Sequence, residues 1–335
     1  MKIRLQLAVL VVSLLLLSAC PARTISPVDN RPANVAAGAR NLQLIVLPGD
    51  QSAVITDRIA KAQHRIIMTM YLLSDNDVIQ ALITAADRGV TVRVLLERAP
   101  YGGSASAQLT YDVLLRSRVA VRYASTYYRF THQKSAVIDE TAIILTANLT
   151  ESGLHSNREF GVLSTESADV SEIVNAFDAD WNRSTFKPAS PHLVWSPQNA
   201  RERLSNVISA TARTLLAYAE EVQDDHQTQL LAEQALHGKD IRLLVSPPRS
   251  GADDANKVDL DILQRAGVRV RYLAKPYIHA KAFIVDGKLA FLGSQNLTAT
   301  SLEFNRELGV LISDSAVISE MSAVFREDWD HAVDR

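Results

Sequence analysis

The chain has 335 residues, 47% of them hydrophobic and 21% charged, with a formal net charge of −2. This excludes a disordered or fibrous chain, and the balance of acids and bases excludes the overall basic footprint of a typical nucleic-acid binder. With Cys20 the only cysteine, an internal disulfide is excluded as well.

At the N-terminus, Lys2 and Arg4 precede an apolar run over 5–17. That run is shorter than the roughly 20 residues a membrane-spanning helix needs, so 1–19 reads as an export signal. Its removal takes away Lys2 and Arg4 and lowers the net charge to −4. The junction Leu17-Ser18-Ala19-Cys20 resembles the lipobox of bacterial lipoproteins; a secretory signal cut nearby and an uncleaved anchor are the alternatives. The resemblance implies a lipidated Cys20 that holds the protein on a phospholipid membrane of the cell envelope. By the same resemblance, Pro21 in place of an aspartate implies the outer membrane, facing the periplasm, in a Gram-negative cell. Residues 20–40 are rich in Pro, Ala and Asn without apolar periodicity and read as a tether.

From residue 41 the chain reads as two copies of one unit, 41–188 and 189–335. Arg65-Ile66-Ile67-Met68 matches Arg213-Thr214-Leu215-Leu216, Gly89 matches Gly238, and Asp180-Trp181 matches Asp328-Trp329. The offset stays at 147–149 residues throughout, the signature of an internal duplication. In the first copy the patterns predict a helix over 52–62, a buried strand over 66–72, a helix over 76–88 and a strand over 90–96. The helix over 76–88 carries Val78, Ile79, Leu82, Ile83 and Ala86 on one face and stops at Gly89. A second helix and strand follow over 109–116 and 119–123. Strands over 134–138, 142–145 and 159–163 and a helix over 168–182 close the unit. This alternation predicts an α/β fold of mostly parallel sheets covered by helices on both faces, two such sandwiches being related by a pseudo-twofold axis. The expected state is a monomer containing its own pseudo-dimer.

Each copy carries His-x-Lys-x4-Asp: His132, Lys134 and Asp139, then His279, Lys281 and Asp286. An Asn follows in each (Asn148, Asn296) and, eleven residues on, a Glu (Glu159, Glu307). In an extended strand the His and Lys share a face. The Asp lies at odd separation, on the opposite face or in the turn, and is read as holding the hairpin. A two-residue turn at 287–288 would put His279 opposite Asn296; the first copy, one residue shorter from Asp to Asn, must adjust its register. Two imidazoles, two ammonium groups and two amides meeting in one cleft suit phosphodiester cleavage without metal or cofactor. One neutral imidazole attacks phosphorus, the other protonates the leaving oxygen, and lysines and amides hold the phosphoryl oxygens. Glu159 and Glu307 are the carboxylates best matched to orient the imidazoles.

The acidic run from Glu220 to Asp225 belongs near the cleft mouth and reads as a solvated loop and helix cap; a metal site at Asp224, Asp225 and His226 lacks a second ligand cluster. Tyr127, Tyr128, Phe130 and Tyr277, just ahead of the histidines, either contact substrate or pack.

These motifs resemble the phospholipase D superfamily, whose signature is H-x-K-x4-D followed by a Gly-Ser-x-Asn-like segment. The second copy reads HAKAFIVDGKLAFLGSQN, with Ser294 in the Gly-Ser position; the first reads HQKSAVIDETAIILTAN, with Leu145-Thr146 there. The resemblance implies two α/β/α sandwiches meeting at one catalytic cleft, with His132 as nucleophile and His279 as acid. The reading is then a metal-independent phosphodiesterase that cleaves or exchanges phospholipid headgroups through a phosphohistidine. The alternatives are an endonuclease acting on nucleic acid, a cardiolipin-synthase-like phosphatidyltransferase, and a non-catalytic envelope binding protein.

Overall fold

The computed structural model describes residues 42–248 and 252–335. The export signal, Cys20 and the tether lie outside the described residues. Among the described residues no helix is long and apolar enough to cross a membrane.

The first copy contains strands β1 (Leu42–Leu47), β2 (Arg65–Met70), β3 (Thr91–Leu96), β4 (Ala120–Tyr123), β5 (Lys134–Ile138), β6 (Thr141–Leu145) and β7 (Asn157–Ser164). Its helices are α1 (Ala53–Lys61), α2 (Asn76–Asp87), α3 (Ser104–Leu115), the short α4 (Glu151–His155) and α5 (Ser167–Trp181). In the second copy the strands are β8 (Leu193–Ser196), β9 (Thr214–Tyr218), β10 (Val222–Gln223), β11 (Asp240–Val245), β12 (Arg269–Tyr272), β13 (Tyr277–Ile278), β14 (Ala282–Val285), β15 (Leu289–Gly293), β16 (Leu297–Thr298), β17 (Glu307–Ile312) and β18 (Val333–Asp334). Its helices are α6 (Ala200–Ser209), α7 (Asp225–Leu236), α8 (Lys257–Arg265), the short α9 (Ala299–Glu303) and α10 (Ser315–His331).

Local sequence explains the main boundaries. α2 starts at Asp75, whose carboxylate accepts the Val78 N–H, and ends before Gly89, whose φ of +97° a side chain would resist. α7 starts in the same way, Asp224 accepting from Gln227 N.

The first sheet runs β1-β7-β6-β5-β2-β3-β4 and the second β18-β12-β11-β9-β14-β15-β17-β8. Both are mixed, which corrects the expectation of mostly parallel sheets. Helical crossovers make β2, β3 and β4, and likewise β9, β11 and β12, parallel. The motif hairpins β5–β6 and β14–β15 pair antiparallel because short turns join them, and the strands beyond them, β7 with β1 and β17 with β8, are antiparallel as well.

Residues alternate between two cores along each strand. In β2, Ile66, Met68 and Met70 face the outer helices α1, α2 and α3, whereas Ile67 faces inward. The inward faces of both sheets close on α5 and α10 in one shared core, with Phe160, Phe177, Trp195, Tyr218 and Phe325 among its largest members. The two copies are thus joined through buried apolar surface, the main driving force of such association.

The hairpin registers correct the expected pairing of His279 with Asn296. In the second hairpin Val285 pairs with Leu289, so the loop is Asp286-Gly287-Lys288 and the register carries His279 toward Gln295. In the first, Ile138 pairs with Thr141 across a two-residue loop, carrying His132 toward Ala147. The extra loop residue absorbs the one-residue difference between copies, so both histidines keep the same place on their sheets. Gly287 permits it by taking φ +63°.

Candidate active site

The motif aspartates sit at the hairpin tips, away from the histidines. Asp139 accepts three backbone N–H groups, from Gln63 (2.9 Å), His64 (2.8 Å) and Arg65 (3.0 Å). Asp286 does the same for Ala212, Arg213 and Thr214, each at 2.8 Å. Burial tends to raise both carboxyls, but the N–H groups prevail and hold them below the ordinary aspartate value. Their stabilisation is present above the unfolded aspartate value, near pH 4, and is lost as pH falls through the lower folded value. Asp286→Ala is expected to lose about 1–3 kcal/mol, the cost of orphaning such groups. A melting curve at neutral pH measures this, and a loss that persists unchanged at strongly acid pH would contradict it.

At the other end of each hairpin strand the two copies exchange partners. His132 Nδ1 lies 2.9 Å from Glu307 Oε2 of the second copy. His279 Nδ1 lies 2.5 Å from Glu159 Oε1 of the first, an ion-pair contact angled off the hydrogen-bond line. Both glutamates are fully buried. Glu159 accepts from Thr146 Oγ1 at 2.6 Å, whereas Glu307 accepts from Ser301 Oγ and from Asn305 Nδ2 at 2.9 Å. Gly153 stands where the second copy has Ser301, so Thr146 takes over its hydroxyl contact. Leu145, in the Gly-Ser position of the first copy, packs into the outer core. Ser294 turns its hydroxyl to the Leu308 backbone, at 3.2 Å from N and 3.3 Å from O.

The backbone fixes this exchange. β13, just before His279, pairs with β7 at Asn157 and Arg158, and Thr131, just before His132, bridges to Arg306. The arginine preceding each glutamate then reaches the other copy. Arg158 binds the Asp328 carboxylate through Nε (2.7 Å) and Nη2 (2.8 Å), and Arg306 Nε binds Asp180 at 2.8 Å. The repeated Asp-Trp pair of the sequence is therefore an anchor between copies.

The lysines differ in their surroundings. Lys134 Nζ donates to the His132 carbonyl at 2.7 Å and lies 5.0 Å over the Tyr71 ring. Burial, and then the nearby Lys281 ammonium, bring Lys134 down to about 7. Lys281 Nζ donates to the His279 carbonyl at 2.5 Å and to Glu220 Oε2 at 2.6 Å. Burial opposes its charge, but Glu220 and Glu159 outweigh it and raise Lys281 above the ordinary lysine value. Glu220 is in turn held at about 2, since His279 and Lys281 outweigh the burial that would raise it.

The histidines differ as well. Burial and the Lys134 charge press His132 below the ordinary imidazole value, against the opposing pull of Glu307. Glu307 accepts at Nδ1, which leaves the Nε2 lone pair free. His279 has carboxylates at both nitrogens, Glu159 at Nδ1 and Glu220 Oε2 3.4 Å from Nε2, so a doubly protonated ring has a partner for each N–H. Because Lys281 acts on both His132 and Lys134, and Glu220 feels both histidines, the two motifs form one electrostatic unit.

The amides and aromatics complete the cleft. Asn296 donates through Nδ2 to Glu221 Oε2 at 3.0 Å, while Asn148 Oδ1 and Asn296 Oδ1 are buried and face no donor among the described residues. Tyr71 packs edge-on against His132 and Phe130, Tyr128 lies against Arg306, and Tyr127 is exposed. The acidic run divides: Asp224 is committed to the α7 cap and to Arg201, whereas Glu220 and Glu221 face the motif residues. Reading Glu220 as part of a solvated loop is corrected. In the first copy the equivalent position is Leu72, so the duplication gave no signal for it.

Comparison with known proteins places this geometry. The family model described as "Cardiolipin synthase, PLD-like domain" matches residues 55–181 and again 204–329. A cardiolipin synthase of Geobacillus sp. (strain WCH70) is 26% identical over 325 residues, covering 84% of this chain and 64% of that protein. The chain thus spans less than two thirds of that relative's length. Among solved structures, the phosphatidylserine synthase of Haemophilus influenzae Rd KW20 superposes with a TM-score of 0.69 at 13% identity, covering 91% of this chain and 88% of that one. The polyphosphate kinase of Porphyromonas gingivalis superposes at 0.66 with 18% identity, covering 86% of this chain and 50% of that one. Those two likenesses concern the fold. With two matched domains covering most of its length and a His-x-Lys-x4-Asp motif in each, the chain belongs to the phospholipase D superfamily.

Proposed function

We propose that the protein is a phosphatidyltransferase, moving a phosphatidyl group from a phospholipid headgroup to an alcohol acceptor. His132 Nε2 attacks phosphorus and the phosphorus–headgroup oxygen bond breaks; the departing oxygen takes the proton of His279 Nε2. The acceptor hydroxyl then returns a proton to His279 and attacks phosphorus, the phosphorus–nitrogen bond breaks, and a new diester leaves. Glu307 and Glu159 orient the imidazoles, while Lys134, Lys281, Asn148 and Asn296 line the phosphoryl position. The observation that carries this reading is the unequal pair of histidines, one pressed toward neutrality beside a lysine and the other set between two carboxylates.

Transfer is favoured over hydrolysis, which the sequence left beside headgroup exchange, by the curated relatives, whose names are those of cardiolipin synthases. We infer further that a lipid anchor at Cys20, if formed, would bring the cleft to a lipid surface. The test incubates protein lacking residues 1–19 with phospholipid vesicles, an added alcohol and excess EDTA, and follows lipid products by mass spectrometry. A headgroup-exchanged diester is expected, and release of phosphatidic acid alone would assign hydrolysis. Degradation of single-stranded DNA with no lipid product would replace the reading.

A coupled proton is also expected. A bound phosphodiester stabilises the Lys134 ammonium, so above about pH 7 its binding draws a proton from solution. Calorimetric titration with diethyl phosphate near pH 8, in buffers of different ionisation enthalpy, should show uptake approaching one proton. Lys134→Met should abolish the uptake, and a buffer-independent heat for the wild type would contradict the assignment.

A further inference from the structure

Glu220 has no counterpart in the first copy, where Leu72 occupies its position, and no part in the proton transfers above. Its Oε2 lies 2.6 Å from Lys281 Nζ and 3.4 Å from His279 Nε2. These are the two donors that a phosphoryl oxygen and a leaving oxygen would use. The backbone around it is fastened from both sides by one residue: Asn256 Nδ2 donates to the Glu220 carbonyl at 2.9 Å, and Asn256 Oδ1 accepts from Val222 N at 2.9 Å. β10, starting at Val222, adds its parallel pairing with β16. A substrate can turn the Glu220 side chain off its donors, but the carboxylate stays beside the site.

We propose that Glu220 is a specificity-determining residue that admits singly charged phosphodiesters and disfavours doubly charged phosphomonoesters. The inference rests on the phosphoryl-binding role proposed for the cleft. Around the phosphoryl position stand Lys134, which holds its proton once an anion binds beside it, Lys281, and the His279 ring. Against them stand Glu159 and Glu307, each in contact with one histidine, while Tyr71, its hydroxyl pushed up to about 12 by burial, adds no charge. Glu220 is the carboxylate in direct contact with Lys281, so without it the second charge of a monoester would meet that ammonium unopposed. Glu220 sets a negative charge at the point where the leaving group departs. Burial and the neighbouring Glu220 raise Glu221, which is further tied to Asn296, so Glu220 is the firmly ionised member of the pair.

The consequence bears on the fate of the phosphohistidine. Resolved by an alcohol, it yields a diester with one charge; resolved by water, a monoester with two. A fixed carboxylate disfavours holding the hydrolysis product or readmitting it, and leaves the cleft to diesters.

Ethyl phosphate and diethyl phosphate test this, since they differ by one ionisable oxygen and a monoester's second ionisation falls near pH 6. Their dissociation constants are measured by calorimetry near pH 8 on wild type, Glu220→Gln and Glu220→Asp, with circular dichroism melts to establish folding. In the wild type diethyl phosphate binds better. In Glu220→Gln the ratio of ethyl to diethyl phosphate dissociation constants falls about tenfold, the order expected for one screened charge at contact range, and Glu220→Asp keeps the wild-type ratio. If Glu220→Gln does not fold, the wild type alone decides. Lowering the pH to about 5, where ethyl phosphate loses its second charge, should shrink its disadvantage relative to diethyl phosphate. An unchanged ratio in Glu220→Gln, or a disadvantage that grows at low pH, overturns the inference while leaving the phosphoryl site standing. Failure of the wild type to bind either ligand removes the phosphoryl site, and this inference with it.

Discussion

His132→Ala is expected to abolish transfer, with a loss on the order of 10⁴-fold or more, as removal of a covalent nucleophile does elsewhere. His279→Ala should lower the rate with ordinary headgroups by roughly 10²–10⁴-fold, the usual contribution of a positioned acid. The two variants separate sharply on a phosphatidyl ester of p-nitrophenol. That leaving group departs without a proton, so His279→Ala should release about one equivalent of p-nitrophenolate in a burst and then stall. The stalled protein should carry an alkali-stable, acid-labile phosphohistidine at residue 132, because the base that activates the acceptor is gone. His132→Ala should give no burst. A burst from His132→Ala and none from His279→Ala would reverse the roles. The asymmetry that drives this expectation is on the structure: Lys134 beside one ring, Glu220 and Glu159 about the other.

Asp180→Ala is expected to produce the largest loss of stability among single changes outside the apolar cores. Arg306 is fully buried and stacked against Tyr128, Phe186 and Trp195, and Asp180 is the carboxylate that it binds. Removing one partner of a buried pair strands the other charge and costs about 3–5 kcal/mol. For a chain of this size that corresponds to a fall in melting temperature of about 4–8 °C. Activity should suffer beyond the loss of folded protein, because Arg306 precedes Glu307, which positions His132. Asp180→Asn, which keeps one hydrogen bond, should recover part of both. A melting temperature within a degree or two of wild type for Asp180→Ala would show that the pair contributes nothing to joining the copies.

The sequence carried the duplication, the helices and the paired His and Lys, because each leaves a mark within a few residues: a period, a cap, an alternation of faces. Strand parity alone moved Asp139 and Asp286 to the hairpin tips. What lay beyond reach depends on contacts between segments far apart in the chain. Which glutamate serves which histidine depends on β13 pairing with β7, and nothing local to Glu159 or Glu307 encodes a partner in the other copy. The hairpin register turned on whether Gly287 sits in a two- or three-residue loop, a choice the strands beyond it decide. Sheet direction was misread because apolar strands look alike whether a crossover or a tight turn joins them. The acidic run concealed Glu220 for a related reason. Asp224 in the same run is a helix cap, and a cap and a cleft carboxylate are indistinguishable until the strand before them is placed beside Lys281.

The exchange of glutamates has a consequence for how such a chain can change over time. Damage to Glu159 is felt by the histidine 120 positions downstream, and damage to Glu307 by the one 175 positions upstream. Neither copy is therefore free to decay or acquire a new trade while its twin keeps the old one. Although the two copies have drifted far apart in their helices and loops, each remains hostage to the other at the one place where both must still fit.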